Sequence, residues 1–324
     1  MCTALSIHLN DMYIGRTLDN EVSFGEKVTF TPRNYPFVFQ NGKKMNSHYA
    51  ILGMASVIDS YPLYFDAINE KGIGVIGLNF VGNAHYFPRK ETKDNIAPYE
   101  FIPWILSQCK NMKEVRKLLS NLNFYNHRFK KNLALARQHY LISNGKESIT
   151  VEPTKDGLKI YKNKVGVLTN NPPFDMQVFN LNSYINLTNL QPENRFAEEL
   201  NLENYSKGMG ALGLPGDNSS LSRFVRVAFH RFHSVSFALE EDNMNQFYHV
   251  LSSVNQVKGV SKTAEDKYET TLYMSCCNLT KGYYSYKTYL NNTIRKVSFL
   301  QCYLTGDKIR QFDDIDTPKT ISLV

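Results

Sequence analysis

The sequence predicts an α+β fold in which helices are inserted between two sets of antiparallel strands. Short strand-like segments bounded by turn residues crowd residues 1–90, and similar segments return over 140–169 and 269–299. Amphipathic stretches with helix-start signals fill the intervals. No polar linker or shift in composition divides the chain, so residues 1–324 are expected to form a single domain.

The N-terminal elements follow from periodicity. Ala4, Ser6 and His8 interleave with Thr3, Leu5, Ile7 and Leu9, a period of two that predicts a half-buried strand beginning at the terminus. Asn10-Asp11 supplies the turn, and residues 12–14 begin a second strand, a hairpin that returns Arg16 and Asp19 to the chain start. Further strands are expected over 27–32, 49–58, 64–69 and 73–80. Gly72, Gly74 and Gly77 weaken the last of these unless its backbone passes close to something. Asn79, at its end, reads equally as a turn former and as a carboxamide aimed into a cleft. The loop over 81–88 follows, with Phe80, Tyr86 and Phe87 as candidate cleft-lining aromatics.

Ala97-Pro98 starts a helix through Phe101, Ile105 and Leu106, and Asn111 with Glu114 has capping-box spacing for a second. Both suit helices lying on a sheet. Strands resume over 140–143, 148–152, 158–161 and 165–169, a meander turned by Asn144-Gly145 and Lys155-Asp156-Gly157. It ends at Thr169-Asn170-Asn171-Pro172-Pro173, where the prolines hold Asn170 or Asn171 at a rigid strand end. Residues 174–218 read as irregular, and their glycine-rich close, 208–217, is not followed by the Gly-Lys-Ser/Thr of a phosphate loop. Ser219 or Ser220 caps the next helix, whose apolar face is Leu221, Phe224, Val225, Ala228, Phe229 and Phe232. Arg223 falls in its first turn, where a cation opposes the helix dipole, so its partners decide its meaning. A helix over 240–255 and strands over 269–276, 282–289 and 295–299 complete the chain.

Composition narrows the function classes. The hydrophobic fraction of 42% supports an ordinary core. The five cysteines, at 2, 109, 276, 277 and 302, have no CxxC spacing and imply neither a disulfide framework nor a zinc site. Neighbours Cys276 and Cys277 point to opposite faces of a strand, and His127 and His139 lack partners at a metal spacing and read as structural. No metal or cofactor is expected. The net charge of +7 is scattered, with no basic tract or fold signature for nucleic acid. With no secretory h-region and no run of 18 apolar residues, neither membrane association nor secretion is expected, and the expected location is cytoplasmic.

The chemistry-bearing stretch is Met1-Cys2-Thr3-Ala4. If Met1 is trimmed, Cys2 carries both a thiol, of ordinary pKa about 8.5, and a free α-amine, of about 7.7–8.0. That is a nucleophile with its own base. A guanidinium such as Arg16 favours the thiolate, and a carboxylate such as Asp19 orients the amine. The alternative reading of Cys2 is an incidental buried thiol.

These pieces together resemble the choloylglycine hydrolase family of conjugated bile acid hydrolases and penicillin V acylases. The matching stretches are Met1-Cys2-Thr3-Ala4, Gly15-Arg16-Thr17-Leu18-Asp19, Gly77-Leu78-Asn79-Phe80, Leu168-Thr169-Asn170-Asn171-Pro172, and Leu212-Gly213-Leu214-Pro215-Gly216-Asp217 with Ser219-Ser220 and Ser222-Arg223-Phe224. The resemblance implies an N-terminal nucleophile hydrolase, a four-layer αββα sandwich with two antiparallel sheets, assembled as a cytoplasmic homotetramer. It implies that Cys2 is the nucleophile, that Arg16 and Asp19 support its thiol and amine, that Asn79 and Asn170 lie around the oxyanion site, and that Arg223 sits by the cluster.

It further implies amide hydrolysis through an acyl-enzyme, on conjugated bile acids because asparagine stands at position 79 where the acylases tend to carry tyrosine. Penicillin V acylase activity and a non-catalytic binding role are the alternatives. Two stretches depart from the family pattern: Thr17 stands where asparagine is common, and residues 133–140 lack the usual Pro-Leu-X-X-Leu-His-Trp flavour.

Overall fold

The computed structural model describes residues 1–263 and 266–313. Strands at both ends of the chain build one six-stranded sheet, ordered Val167–Leu168, Cys2–Leu9, Asp11–Asn20, Thr270–Asn278, Tyr283–Thr288, Arg295–Ser298. The second sheet has eight strands, ordered Gly157–Lys162, Ser148–Thr154, Gln138–Ser143, Gly74–Asn79, Tyr61–Asn69, Ile51–Ile58, Lys27–Thr31, Arg310–Phe312. Neighbouring strands within both sheets run antiparallel.

Helices cover the outer faces. Ser220–His233 and Glu240–Ser252 pack on the first sheet through Cys2–Leu9, and Phe101–Gln108 packs on the second through Ile51–Ile58, Tyr61–Asn69 and Gly74–Asn79. The sheets therefore meet face to face, which is the expected αββα layering. Gly74 shows how close they come: a Cβ there would lie 2.7 Å from Ile14 Cγ2 of the facing sheet. The glycine-bearing strand thus earns its composition at the sheet interface.

Layering also changes the reading of the first strand. Alternation predicts one solvated face, yet among Cys2–Leu9 only His8 is exposed. The polar side chains Thr3 and Ser6 lie under the helical layer or between sheets and find partners there: Ser6 Oγ pairs with Ser143 Oγ at 2.8 Å. Adjacent Cys276 and Cys277 are both buried for the same reason. Each fully buried Leu, Ile or Phe in these layers contributes roughly 1.5–3 kcal/mol.

Local signals are largely met. Asn10 turns the hairpin with φ of 62°, a left-handed conformation asparagine tolerates. Asn111 caps Met112–Ser120 by accepting from Glu114 N at 2.9 Å, and Ser219 caps Ser220–His233.

Three expectations are corrected. Phe101–Gln108 is buried almost all round rather than on one stripe, because it is enclosed between the second sheet and its neighbours. Residues 174–180 form a short helix, Phe174–Asn180, rather than an irregular stretch. Phe232 lies outside the apolar face of its helix and is 59% exposed.

Candidate active site

The site begins with hairpin register. Cys2 stands opposite Leu18 and Ala4 opposite Arg16, so the polar residues of the second strand flank the chain start. Met1 extends the pairing: its nitrogen donates to Asp19 O at 2.8 Å and Asp19 N donates to Met1 O at 3.0 Å. The Met1 ammonium also meets Glu269, at 2.8 Å to Oε1 and 2.6 Å to Oε2. Cys2 itself is buried, and its main-chain N–H donates to Asn170 Oδ1 at 2.8 Å.

Arg16 is buried between the sheets, donating from Nε to Thr17 O and from Nη1 to Phe65 O and Gly77 O. Burial opposes its charge, but the summed field of Cys2, Tyr273, Asp66 and Asp19 outweighs that and holds the guanidinium above its ordinary pKa. It is a fixed cation facing the thiol's neighbourhood. Asp19 is buried on the other face, its carboxylate accepting from Thr17 Oγ1 at 3.0 Å and Thr271 Oγ1 at 2.6 Å. Thr17 also accepts from Thr3 N at 3.1 Å. The residue that departs from the family pattern therefore ties the first strand to Asp19.

Asn170 reaches Cys2 by a change of sheet. The 140–169 meander does not stay in one sheet: after Gly157–Lys162 the chain crosses over, and Val167–Leu168 pairs with the first strand, Ala4 opposite Leu168. This crossing delivers residue 170 to the chain start. Asn170 N donates to Ser220 Oγ at 2.9 Å, and Gln177 Nε2 donates to Asn170 O and Pro172 O. Asn170 Oδ1 accepts from Cys2 N and from Arg223 Nη2, while its Nδ2 donates to Asn79 O at 2.9 Å. Asn171 points elsewhere, donating to Val81 O and accepting from Asn83 Nδ2. Of the two adjacent asparagines, Asn170 is the one at Cys2.

Asn79 meets the turn-former reading, and it reaches the site through its backbone rather than its carboxamide. Its side chain accepts from Val81 N at 3.2 Å, a turn-forming bond, while its main-chain carbonyl takes the Asn170 amide. Arg223 is fully buried and donates from Nη1 to Cys2 O at 2.5 Å and Thr3 Oγ1 at 2.6 Å, and from Nε to Asn218 O at 3.0 Å. Burial lowers its pKa, opposed by Asp19, Cys2 and Glu269. A helix-start arginine without such partners is unremarkable; this one is held by the residues around the thiol.

All six candidates thus gather at one end of the sandwich. Glu269, Thr271 and Gln177, which no local signal marks, join them, as does Ser220, which the sequence offers only as a helix cap and as part of a family-like stretch. Glu269 meets Met1 across 268 residues of chain.

A cavity of about 300 Å3 lies next to the site, lined by Phe24, Ile58, Leu63, Phe65, Phe129 and Leu135 among others. Phe65 carries a carbonyl bound by Arg16, and Gln138, also on the lining, pairs with Asn79. The expected aromatics are not its walls. Phe80 is buried and stacks on His139 at 4.2 Å, Tyr86 is buried with its hydroxyl donating to Ala136 O, and Phe87 lies by a separate pocket. Beyond Pro173, Phe174 is buried against Phe224. The wall comes instead from the strands Ile51–Ile58 and Tyr61–Asn69 and from the segment 127–138. Among the described residues no group of three or more His, Cys, Asp or Glu is gathered for a metal, and no helix is long and apolar enough to cross a membrane.

Comparison with known proteins agrees with this geometry. The model of linear amide C–N hydrolases, choloylglycine hydrolase family, matches residues 2–321. A bile salt hydrolase/transferase of Lactiplantibacillus plantarum is 50% identical over 298 residues, 92% of each chain. A crystal structure of a mutant conjugated bile acid hydrolase from Clostridium perfringens superposes with a TM-score of 0.92 at 36% identity, covering 100% of both chains. Penicillin V acylase from Agrobacterium tumefaciens shares the fold, with a TM-score of 0.73 at 18% identity over 95% of this chain and 90% of its own. A family match spanning almost every residue, with a half-identical relative, makes this chain a member of the choloylglycine hydrolase family of linear amide C–N hydrolases.

Proposed function

We propose that removal of Met1 converts Cys2 into the nucleophile of an amidohydrolase that cleaves glycine- or taurine-conjugated bile acids. The observation that carries this is the Cys2 nitrogen held 2.8 Å from Asn170 Oδ1. Once Met1 is gone, that nitrogen is a primary amine, oriented by Asn170 and placed on the same residue as the thiol. Its lone pair takes the thiol proton, directly or through one water, and the sulfur attacks the amide carbonyl. Arg16 supplies positive charge that favours the thiolate.

The carbonyl oxygen becomes an oxyanion. A carboxamide nitrogen carries two N–H groups: one of Asn170's binds Asn79 O, and the second serves the oxyanion together with a backbone N–H near Asn79. One such donor is worth about 2.7–4 kcal/mol of barrier. Collapse breaks the C–N bond, the protonated amine gives its proton to the leaving nitrogen, and glycine or taurine departs, leaving a thioester on Cys2. Water, deprotonated by the same amine, attacks the thioester; the sulfur leaves, and the free bile acid is released. Arg223 holds the Cys2 carbonyl directly, and Asp19 acts through Thr17, whose hydroxyl donates to the Asp19 carboxylate and accepts from Thr3 N.

The cavity suits the acyl part. A rigid apolar ring system needs a mostly apolar wall with few polar fixing points, and Phe24, Leu63, Phe65, Phe129 and Leu135 present one, with the Phe65 carbonyl bound by Arg16. The named activities of the relatives point the same way. The deciding experiment offers the purified protein glycocholate, taurocholate and phenoxymethylpenicillin. Cleavage of the conjugated cholates supports the assignment; cleavage of the penicillin alone moves the substrate to the acylase class and keeps the chemistry, and no cleavage of any sinks the enzyme reading.

Residues 1–324 acting as one folding unit, a cytoplasmic location and a homotetramer belong to the same proposal. Support for assembly comes from the segment between Phe174–Asn180 and Ser220–His233, where Ile185, Phe196 and Tyr205 are 79%, 83% and 81% exposed, apolar side chains that burial between subunits would remove from water. Light scattering that gives the mass of one chain rules the tetramer out.

A further inference from the structure

Behind the groups that touch Cys2 lies a buried imidazole–carboxylate pair that the mechanism above does not use. His139 and Glu152 are each 0% exposed, with His139 Nδ1 2.9 Å from Glu152 Oε1 and Nε2 2.7 Å from Thr169 O. A carbonyl oxygen only accepts, so Nε2 carries a hydrogen and donates it. Nδ1 then faces a carboxylate, and the pair holds at least one proton between them. Glu152 is anchored in turn by Phe174 N, at 3.0 and 3.2 Å from its two oxygens.

Both carboxamides of the site are neighbours of what this ring touches. The Thr169 carbonyl belongs to the peptide whose nitrogen is Asn170's, and that nitrogen is bound by Ser220 Oγ. The imidazole also stacks on Phe80, the residue after Asn79, with centroids 4.2 Å apart and planes 8° from parallel. Asn170 and Asn79 are themselves joined by the Nδ2 to carbonyl bond. One ring therefore braces the two segments at the point where they meet beside Cys2.

We propose that His139 is a positioning residue for the hydrolysis: its Nε2–H on Thr169 O sets where Asn170 and Asn79 stand against the Cys2 thiol, and Glu152 holds the ring in the orientation that makes this bond. The inference rests on Cys2 being the nucleophile. Because misplacing a reacting group by about 1 Å can cost on the order of a hundredfold in rate, the effect belongs in kcat rather than KM.

The test compares Glu152→Gln with the double variant Glu152→Gln/His139→Phe. The single change leaves a neutral imidazole that still donates from Nε2, since Nδ1 can accept from the new carboxamide, so kcat should stay within about threefold of the unaltered enzyme. Adding His139→Phe keeps a ring against Phe80 and removes the donor to Thr169 O, together with the Nδ1 acceptor for the carboxamide at 152. The expected result is a further fall in kcat of about 10- to 100-fold with KM changed less than about threefold. A double variant as fast as the single one, or one altered only in KM, overturns the proposal.

If the double variant does not fold, ring 15N NMR of the unaltered protein decides: Nε2 of His139 must be protonated, and an Nδ1–H tautomer with bare Nε2 overturns the assignment. That measurement needs no turnover. An inactive wild type would therefore sink the functional reading, while the hydrogen on Nε2 that makes the bond to Thr169 O is still decided.

Discussion

Arg223 donates from Nη1 to the main-chain carbonyl of Cys2 at 2.5 Å, a contact that closes 221 residues of chain. The same guanidinium binds Asn170 Oδ1 at 2.8 Å, which in turn accepts from Cys2 N. The first residue of the proposed mature enzyme is thus gripped on its carbonyl by Arg223 and on its nitrogen by Asn170, and those two grips are bonded to each other.

Arg223→Ala strips the donors from the buried Cys2 O and Thr3 Oγ1 and from the half-buried Asn170 Oδ1 and Asn218 O. Stability should fall by on the order of 3 kcal/mol, because buried acceptors are left unsatisfied. Turnover should drop at least about tenfold. Urea unfolding and initial rates check both; a variant with native midpoint and native rate reduces Arg223 to a bystander.

Cys2→Ser keeps shape and polarity and removes the thiolate. The variant should fold with an unchanged melting temperature and lose about a hundredfold or more of its turnover. Intact-mass measurement of active wild type should show the loss of one methionine. A fully active serine variant, or an active chain that keeps Met1, contradicts the proposed nucleophile.

Gly15→Ala tests the packing that supports Arg16. A Cβ at Gly15 would stand 2.0 Å from Ser275 O, a main-chain atom fixed in the neighbouring strand, and 2.9 Å from Phe247. Overpacking against backbone cannot be relieved by a rotamer change, so roughly 3 kcal/mol or more of stability should be lost. Thermal unfolding reads this out, and an unshifted midpoint contradicts the close approach.

Glu100 gives a pH signature. Burial pushes its carboxyl up to about 7, against the opposing hydrogen bonds from Ala97 N and Gln40 N. Between the ordinary value of 4.5 and about 7, the unfolded chain ionises this group while the folded chain keeps it protonated. The folded state then binds more protons, so stability is greatest below that window, falls as pH rises through it and levels off above. The cost is on the order of 3 kcal/mol. Glu100→Gln should flatten this part of the curve when urea midpoints are compared at about pH 5 and about pH 7.5; an unchanged slope removes Glu100 as its source.

Much of the site was legible in short stretches because strand pairing is local. The Asn10 turn and a period of two were enough to bring Arg16 and Asp19 beside Cys2, and the prolines after Asn171 marked a stiff strand end. The cap at Ser219 likewise put Arg223 in the first turn of its helix. The cleft was not legible in this way. Phe80 and Tyr86 sit in a loop that looks exposed, yet the neighbouring strand and His139 cover them. Aromatic character alone does not say which layer a ring enters.

What the sequence by itself determined is the order of elements, the hairpin that begins the chain, and the residue types assembled for a terminal cysteine nucleophile. Tertiary structure alone decided that Val167–Leu168 leaves one sheet for the other, so that Asn170 and not Asn171 meets Cys2. It alone brought Glu269 to the Met1 ammonium and Thr271 to Asp19. The reason is physical: period and capping act over a few residues, whereas these contacts join segments more than 160 positions apart and depend on which sheet face each side chain enters after the layers have packed.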